Sequence, residues 1–168
     1  MIRAAVFSAA FAFGVSLAPS ASAQSESVQM IRSLAFSHDG NWLAIASGDN
    51  LTNGLLQVVN LSEQEIVYEL TDPEVGFVAV DFSQSGLLAV GRFSKTGLLI
   101  DVSNKQVVHE LQGHDNHVRC VKFTSDGSKL ITGSYDRTVK IWEVATGELL
   151  QTLEGHPEAI YSLAPALL

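Results

Sequence analysis

The sequence predicts an all-β chain built from three repeated units of four short antiparallel strands each, followed by one orphan strand. Three observations carry this reading. A turn motif recurs as Phe36-Ser37-His38-Asp39-Gly40, Phe82-Ser83-Gln84-Ser85-Gly86 and Phe123-Thr124-Ser125-Asp126-Gly127, its phenylalanines 46 and 41 residues apart. A strand motif recurs as Val58-Val59-Asn60-Leu61, Leu99-Ile100-Asp101-Val102 and Ile141-Trp142-Glu143-Val144, at spacings of 41 and 42. A fixed period of about 40 to 45 residues marks a repeat architecture, and no stretch beyond the N-terminal leader sustains a helical period.

The leader comes first. Arg3, an apolar run over residues 4–17, Pro19 and the small-residue sequence Ala21-Ser22-Ala23 form the tripartite pattern of a secretory signal peptide cleaved after Ala23. The apolar run is shorter than the roughly 20 residues a spanning helix needs, so no membrane span is expected after cleavage. The sequence therefore places the mature chain outside the cytoplasm, periplasmic or secreted.

Each unit divides at its turn residues in the same way. The expected strands are 28–36, 42–47, 55–60 and 65–70 in the first unit, 76–82, 87–91, 97–102 and 106–111 in the second, and 118–123, 129–134, 138–144 and 148–153 in the third. The first unit has one expanded loop, Ser47-Gly48-Asp49-Asn50-Leu51-Thr52-Asn53-Gly54. Loops of repeat arrays carry variation and binding, so Asp49, Asn50, Thr52 and Asn53 are candidate interaction residues, beside the plainer reading of a solvated turn. Asn50-Leu51-Thr52 and Asn60-Leu61-Ser62 match the N-glycosylation pattern, which has meaning only in a eukaryotic secretory pathway.

The formal net charge of the 168-residue chain is −8, and losing Arg3 with the leader takes it one unit further, to −9. An acidic surface with scattered basic residues repels phosphate backbones, so no nucleic-acid partner is expected. Cys120 is the only cysteine, which rules out an intrachain disulfide and leaves packing to stabilise the chain. It falls in an apolar strand pattern, as a buried inert thiol does.

The stretch from Gly113-His114, through Ser125-Asp126-Gly127 and Tyr135-Asp136-Arg137, to Ile141-Trp142-Glu143 resembles a complete unit of the WD-repeat β-propeller family, and Gly155-His156 begins another copy. The resemblance implies a partial β-propeller: blades at about 27–71, 72–112 and 113–155, and an incomplete fourth at 156–168. It also implies a hydrogen-bonded set bracing the third blade, consisting of His114, Thr132 or Ser134, Asp136 and Trp142. The other units lack this set. Ser27 and Pro73 stand at the His position, Asn53 and Ser94 at the Asp position, and Val59 and Ile100 at the Trp position.

Other chemistries are weighed against this bracing. His114, Asp136 and Ser134 have the residue types of a catalytic triad, but no nucleophile elbow accompanies them. His114 and His117 offer two imidazoles without a further placed ligand. No phosphate-binding glycine loop or dinucleotide fingerprint is present, so no catalytic residue, metal or cofactor is expected.

Propellers close at about four to eight blades. Three blades therefore imply either a portion of a longer propeller protein or a chain that self-associates through its exposed end blades. At the C-terminus Ile160 aligns with Val118 and Leu163 with Val121, while Pro165 falls where Phe36, Phe82 and Phe123 stand. The resemblance implies a non-catalytic scaffold for a protein or peptide partner. The alternatives are part of a propeller-type hydrolase or dehydrogenase, and a product with no independent function.

Overall fold

A computed structural model of the chain describes residues 30–49 and 53–164. The leader, Ser27, the start of the first expected strand, Asn50, Thr52 and Pro165 lie outside the described residues.

Twelve strands form three separate antiparallel meanders. The first blade is β1 (Ile31–Phe36), β2 (Trp42–Ser47), β3 (Gly54–Asn60) and β4 (Glu65–Asp72). The second is β5 (Phe77–Phe82), β6 (Leu87–Arg92), β7 (Thr96–Asp101) and β8 (Gln106–Gln112). The third is β9 (Val118–Phe123), β10 (Lys129–Ser134), β11 (Val139–Glu143) and β12 (Leu149–Leu153). Strand order follows chain order in every sheet. No helix long and apolar enough to cross a membrane occurs among the described residues.

The recurring turn motif closes the first hairpin of each blade. The Ser37 hydroxyl donates to Asp39 Oδ1 at 2.6 Å, and Thr124 repeats this with Asp126 at 2.6 Å. Gly40, Gly86 and Gly127 follow with φ of 73°, 87° and 69°, the left-handed region that only glycine enters without strain.

The blades stack face to face, because alternate residues of the middle sheet serve two cores. Val80, Phe82, Leu88, Val90, Leu98 and Ile100 pack on Ala44, Ala46, Leu56, Val58 and Tyr68 of the first blade. Ala79, Ala89 and Leu99 face the other way, onto Val121, Phe123, Leu130 and Trp142 of the third. Polar ties join the same neighbours: Arg92 pairs with Asp72 between the first two blades and Lys122 with Asp81 between the second and third, where Asp81 also accepts the Phe123 N–H at 2.9 Å.

Coverage by the preceding blade decides the fate of three equivalent phenylalanines. Phe82 and Phe123 are 7% and 5% exposed, whereas Phe36, which no described blade precedes, is 64% exposed. Ile31 and Leu34, on the same strand as Phe36, are exposed with it. Burying a side chain of this size contributes about 1.5–3 kcal/mol, so this face forgoes stabilisation that the other two obtain.

The expected orphan strand is the one element that differs. Residues 154–164 form no strand. An innermost strand pairs with the strand that follows it, and among the described residues none follows. The segment nonetheless takes an innermost strand's seat: Ile160 N–H donates to Ser134 O at 3.0 Å, as Val118 N–H donates to Ser94 O at 3.2 Å. Both seats need glycine. A Cβ on Gly91 would stand 2.6 Å from Val118 O, and one on Gly133 would stand 2.5 Å from Ile160 Cγ2.

Cys120 lies under this segment, 8% exposed, with its thiol directed at Ile160 O at 3.8 Å. Burial pushes its pKa up to about 11, so roughly one molecule in a thousand carries the thiolate at pH 8. The native protein is therefore expected to resist iodoacetamide at pH 8 and to alkylate fully in denaturant, as read by intact mass. Rapid labelling of the native protein would show that the segment does not cover Cys120.

Candidate functional site

The third blade carries a directional hydrogen-bond chain. Trp142 Nε1–H donates to Thr132 Oγ1 at 2.8 Å, Thr132 Oγ1 lies 2.7 Å from His114 Nε2, and His114 Nδ1 lies 2.7 Å from Asp136 Oδ2. Charge assigns the protons. Burial raises the Asp136 pKa, but the Thr138 hydroxyl and N–H, the Asp115 N–H and the His114 ring outweigh it and hold the carboxyl at about 2. An ionised Asp136 requires a proton on Nδ1, and burial lowers the His114 pKa, so the ring is neutral and Nε2 accepts from the Thr132 hydroxyl. Every polar atom of the chain thereby has its partner.

The hydroxyl left open between Thr132 and Ser134 is Thr132. Ser134 Oγ donates to Asn116 O at 3.2 Å and accepts the Asp136 N–H at 3.0 Å, so it braces the turn instead. The same bonds leave Ser134 out of line for a triad, because Thr132 occupies the imidazole nitrogen a nucleophile would need. Both His114 nitrogens are committed, and among the described residues no three His, Cys, Asp or Glu side chains are grouped as metal ligands. His117 packs edge-on against Phe93 and Tyr135, with ring centroids 5.5 and 5.8 Å away.

Of the expected interaction loop, Asn50 and Thr52 lie outside the described residues. Asp49 and Asn53 are exposed at the loop's two ends and tie it to the β4–β5 connection: Gly76 N–H donates to Asp49 O at 3.0 Å, and Asn53 N–H to Pro73 O at 3.3 Å.

Beside this loop lies a cleft that the sequence reading did not single out. It encloses about 570 Å³ and is lined by Arg32, Phe93, Asn116, His117, Arg119 and Tyr135. Four separate segments meet there. Arg32 and Arg119 are the second residues of β1 and β9, Phe93 follows β6, Tyr135 follows β10, and Asn116 and His117 precede β9. The Arg119 guanidinium lies 5.2, 5.3 and 5.9 Å from the ring centroids of Phe93, Tyr135 and Tyr161, and that of Arg32 lies 5.3 Å from Phe93. Such stacking is worth about 0.5–2 kcal/mol per pair. Burial and the adjacent Arg119 charge lower the His117 pKa, so its ring adds a neutral edge.

The geometry has counterparts among known proteins. The family described as "WD domain, G-beta repeat" matches residues 21–52 and 105–143. The second match runs from β8 to β11, one blade's outer strand and the three inner strands of the next. Dynein assembly factor with WD repeat domains 1 of Danio rerio is 35% identical over 129 residues, covering 74% of this chain and 31% of that protein. Guanine nucleotide-binding protein subunit beta of Lymnaea stagnalis is 40% identical over 83 residues, covering 48% of this chain and 24% of that one. The crystal structure of the RRP9 WD40 repeats matches the fold with a TM-score of 0.71 at 24% identity, over 79% of this chain and 41% of the other. The chain thus spans about a third of the length of the first relative, at 31%.

Proposed function

The chain belongs to the WD-repeat family, and on that premise we propose that it is a non-catalytic scaffold that holds a protein or peptide partner at the loop end of its blades. The observation that carries this is the cleft itself. Arg and Tyr side chains, the types that dominate binding energy at protein interfaces, converge there from separate blades on a rigid frame. The relatives, named as an assembly factor and as a subunit of a larger protein, favour the same reading.

Selecting binders from a displayed random-peptide library on the immobilised chain tests it. Enriched peptides are expected to lose binding to Phe93→Ala and Tyr135→Ala variants and to keep it to Lys105→Ala, at the opposite end of the second blade. No enrichment, or enrichment indifferent to both cleft substitutions, would sink the reading.

Two further parts of the reading rest on separate observations. The exposed Ile31, Leu34 and Phe36 favour a further blade seated on that face, from a longer chain or by self-association of a second copy. A monomeric solution mass with no further sequence encoded beyond either end would count against it. The export pattern at residues 1–23 favours a periplasmic or secreted site, with Gln24 at the N-terminus of the mature protein. N-terminal sequencing that reads Met1 would remove that part.

A further inference from the structure

We infer that the cleft is a carboxylate-binding site, and that Arg119, with Arg32 beside it, is the residue that reads an acidic group on a peptide ligand. The inference rests on the scaffold reading above and names what the cleft selects. Its first support is an imbalance of charge. The chain carries a net −8, yet the two guanidiniums at this cleft form no ion pair with any carboxylate among the described residues. Of the other two arginines at the same sheet ends, Arg92 pairs with both Asp72 and Glu110, whereas Arg137, in the turn after β10, pairs with no carboxylate among the described residues. Asp136, the carboxylate nearest in sequence to the cleft's Tyr135, is already consumed by donors from His114, Asp115 and Thr138.

The second support is preorganisation. Three aromatic rings surround the Arg119 guanidinium, and the Tyr161 hydroxyl donates to Tyr135 Oη at 3.3 Å, fixing two of them together. A guanidinium held by cation–π contacts still has N–H groups to offer a planar acceptor. No protein acceptor takes the Arg119 N–H groups among the described residues, and their nitrogens are not sealed from solvent. Arg32 is held similarly, with Nε–H donating to Gly48 O at 2.9 Å. A carboxylate meeting Arg119 can be held bidentately, the stronger form of charge-assisted bond, and little side-chain entropy remains to be lost.

The ligand class follows from magnitudes. Two guanidiniums on an acidic protein favour a single carboxylate over a phosphate polymer, whose many charges the net −8 repels. A cleft of about 570 Å³ with aromatic walls accepts one acidic group and its neighbouring side chains.

The test passes three random hexapeptide mixtures over the immobilised 168-residue chain at low salt, retention being read by mass spectrometry. One mixture has a fixed central Glu and an amidated C-terminus, one a fixed Gln and an amidated C-terminus, and one a fixed Gln and a free C-terminus. The expected result is about ten-fold greater retention of one of the two carboxylate-bearing mixtures than of the amidated Gln mixture. Which one it is separates a side-chain carboxylate from a chain terminus. The preference should vanish in Arg119→Met or Arg32→Met variants that melt with the parent, and weaken with added salt. Equal retention of all three mixtures overturns the carboxylate reading while leaving a peptide-binding scaffold; no retention of any mixture overturns both. A preference that survives both arginine substitutions overturns the assignment to this cleft.

Discussion

Replacing Trp142 with alanine is expected to lower the free energy of unfolding by roughly 3–5 kcal/mol. The indole is 1% exposed and sits at the junction of two blades, packed with Phe123, Leu130 and Val144 of its own blade and Leu99 and Leu111 of the neighbour. Truncation removes apolar area and leaves a cavity that rigid sheets on either side cannot close. It also takes from Thr132 the Nε1–H it accepts at 2.8 Å, although the Thr132 hydroxyl keeps His114 as its acceptor. Trp142→Phe separates these contributions. It keeps most of the volume and loses the donor, so its cost should fall nearer the roughly 1 kcal/mol of a single net hydrogen bond plus the smaller void. Domains of this size are stable by about 5–15 kcal/mol, so the alanine variant should show a large fall in urea midpoint. A loss under about 1 kcal/mol would show that the junction is not packed as described.

Most of the fold was legible in the sequence because the repeat chemistry is local. A hydroxyl at Ser37 or Thr124, a carboxylate two residues on and a glycine after it make the same turn wherever they occur. The strands between the turns were fixed by apolar alternation, and the structure shifts their ends by only a few residues. What a residue faces was not legible in the same way. Phe36, Phe82 and Phe123 are indistinguishable as letters in a pattern, and only the presence of a preceding blade makes one exposed and two buried. The orphan segment failed as a strand for the same reason, since a ladder needs a second strand and the Ile160 N–H reaches a single backbone carbonyl, Ser134 O.

The two candidate regions divide along that line. The bracing set could be read because His114, Asp136 and Trp142 stand where the family that the third unit resembles places them, but Thr132 and Ser134 are two apart on one strand, share a face and both carry hydroxyls. The bond from Trp142 decides between them. The cleft had no such signal. Arg32, Phe93, the pair Arg119 and Tyr135, and Tyr161 come from four different units, and nothing in any one segment marks the cleft. One signal is periodic: Phe93 and Tyr135 both occupy the turn between the second and third strands of their blades.

Asp136→Asn should destabilise the protein by about 3 kcal/mol at neutral pH, because it discharges an acceptor of four donors and turns an amide N–H₂ toward some of them. The same carboxylate fixes the sign of the acid response. Its folded pKa of about 2 lies below the ordinary value of 3.8, so its stabilisation is complete above 3.8 and is lost as pH falls through about 2. The difference corresponds to roughly 2 kcal/mol. His114 acts in the same direction from a higher starting point. Burial lowers its pKa from 6.5, so the unfolded chain takes up that proton first and stability declines as pH drops below 6.5. Unfolding free energy measured from pH 7 downward should therefore fall continuously for the parent. In Asp136→Asn the part of the decline below pH 3.8 should shrink, while the His114 part persists. Peptide retention by the folded variant should match the parent, since Asp136 is turned into the blade and its lone pairs are occupied. A variant that melts with the parent but loses peptide would place Asp136 in the binding site and make the brace part of the cleft.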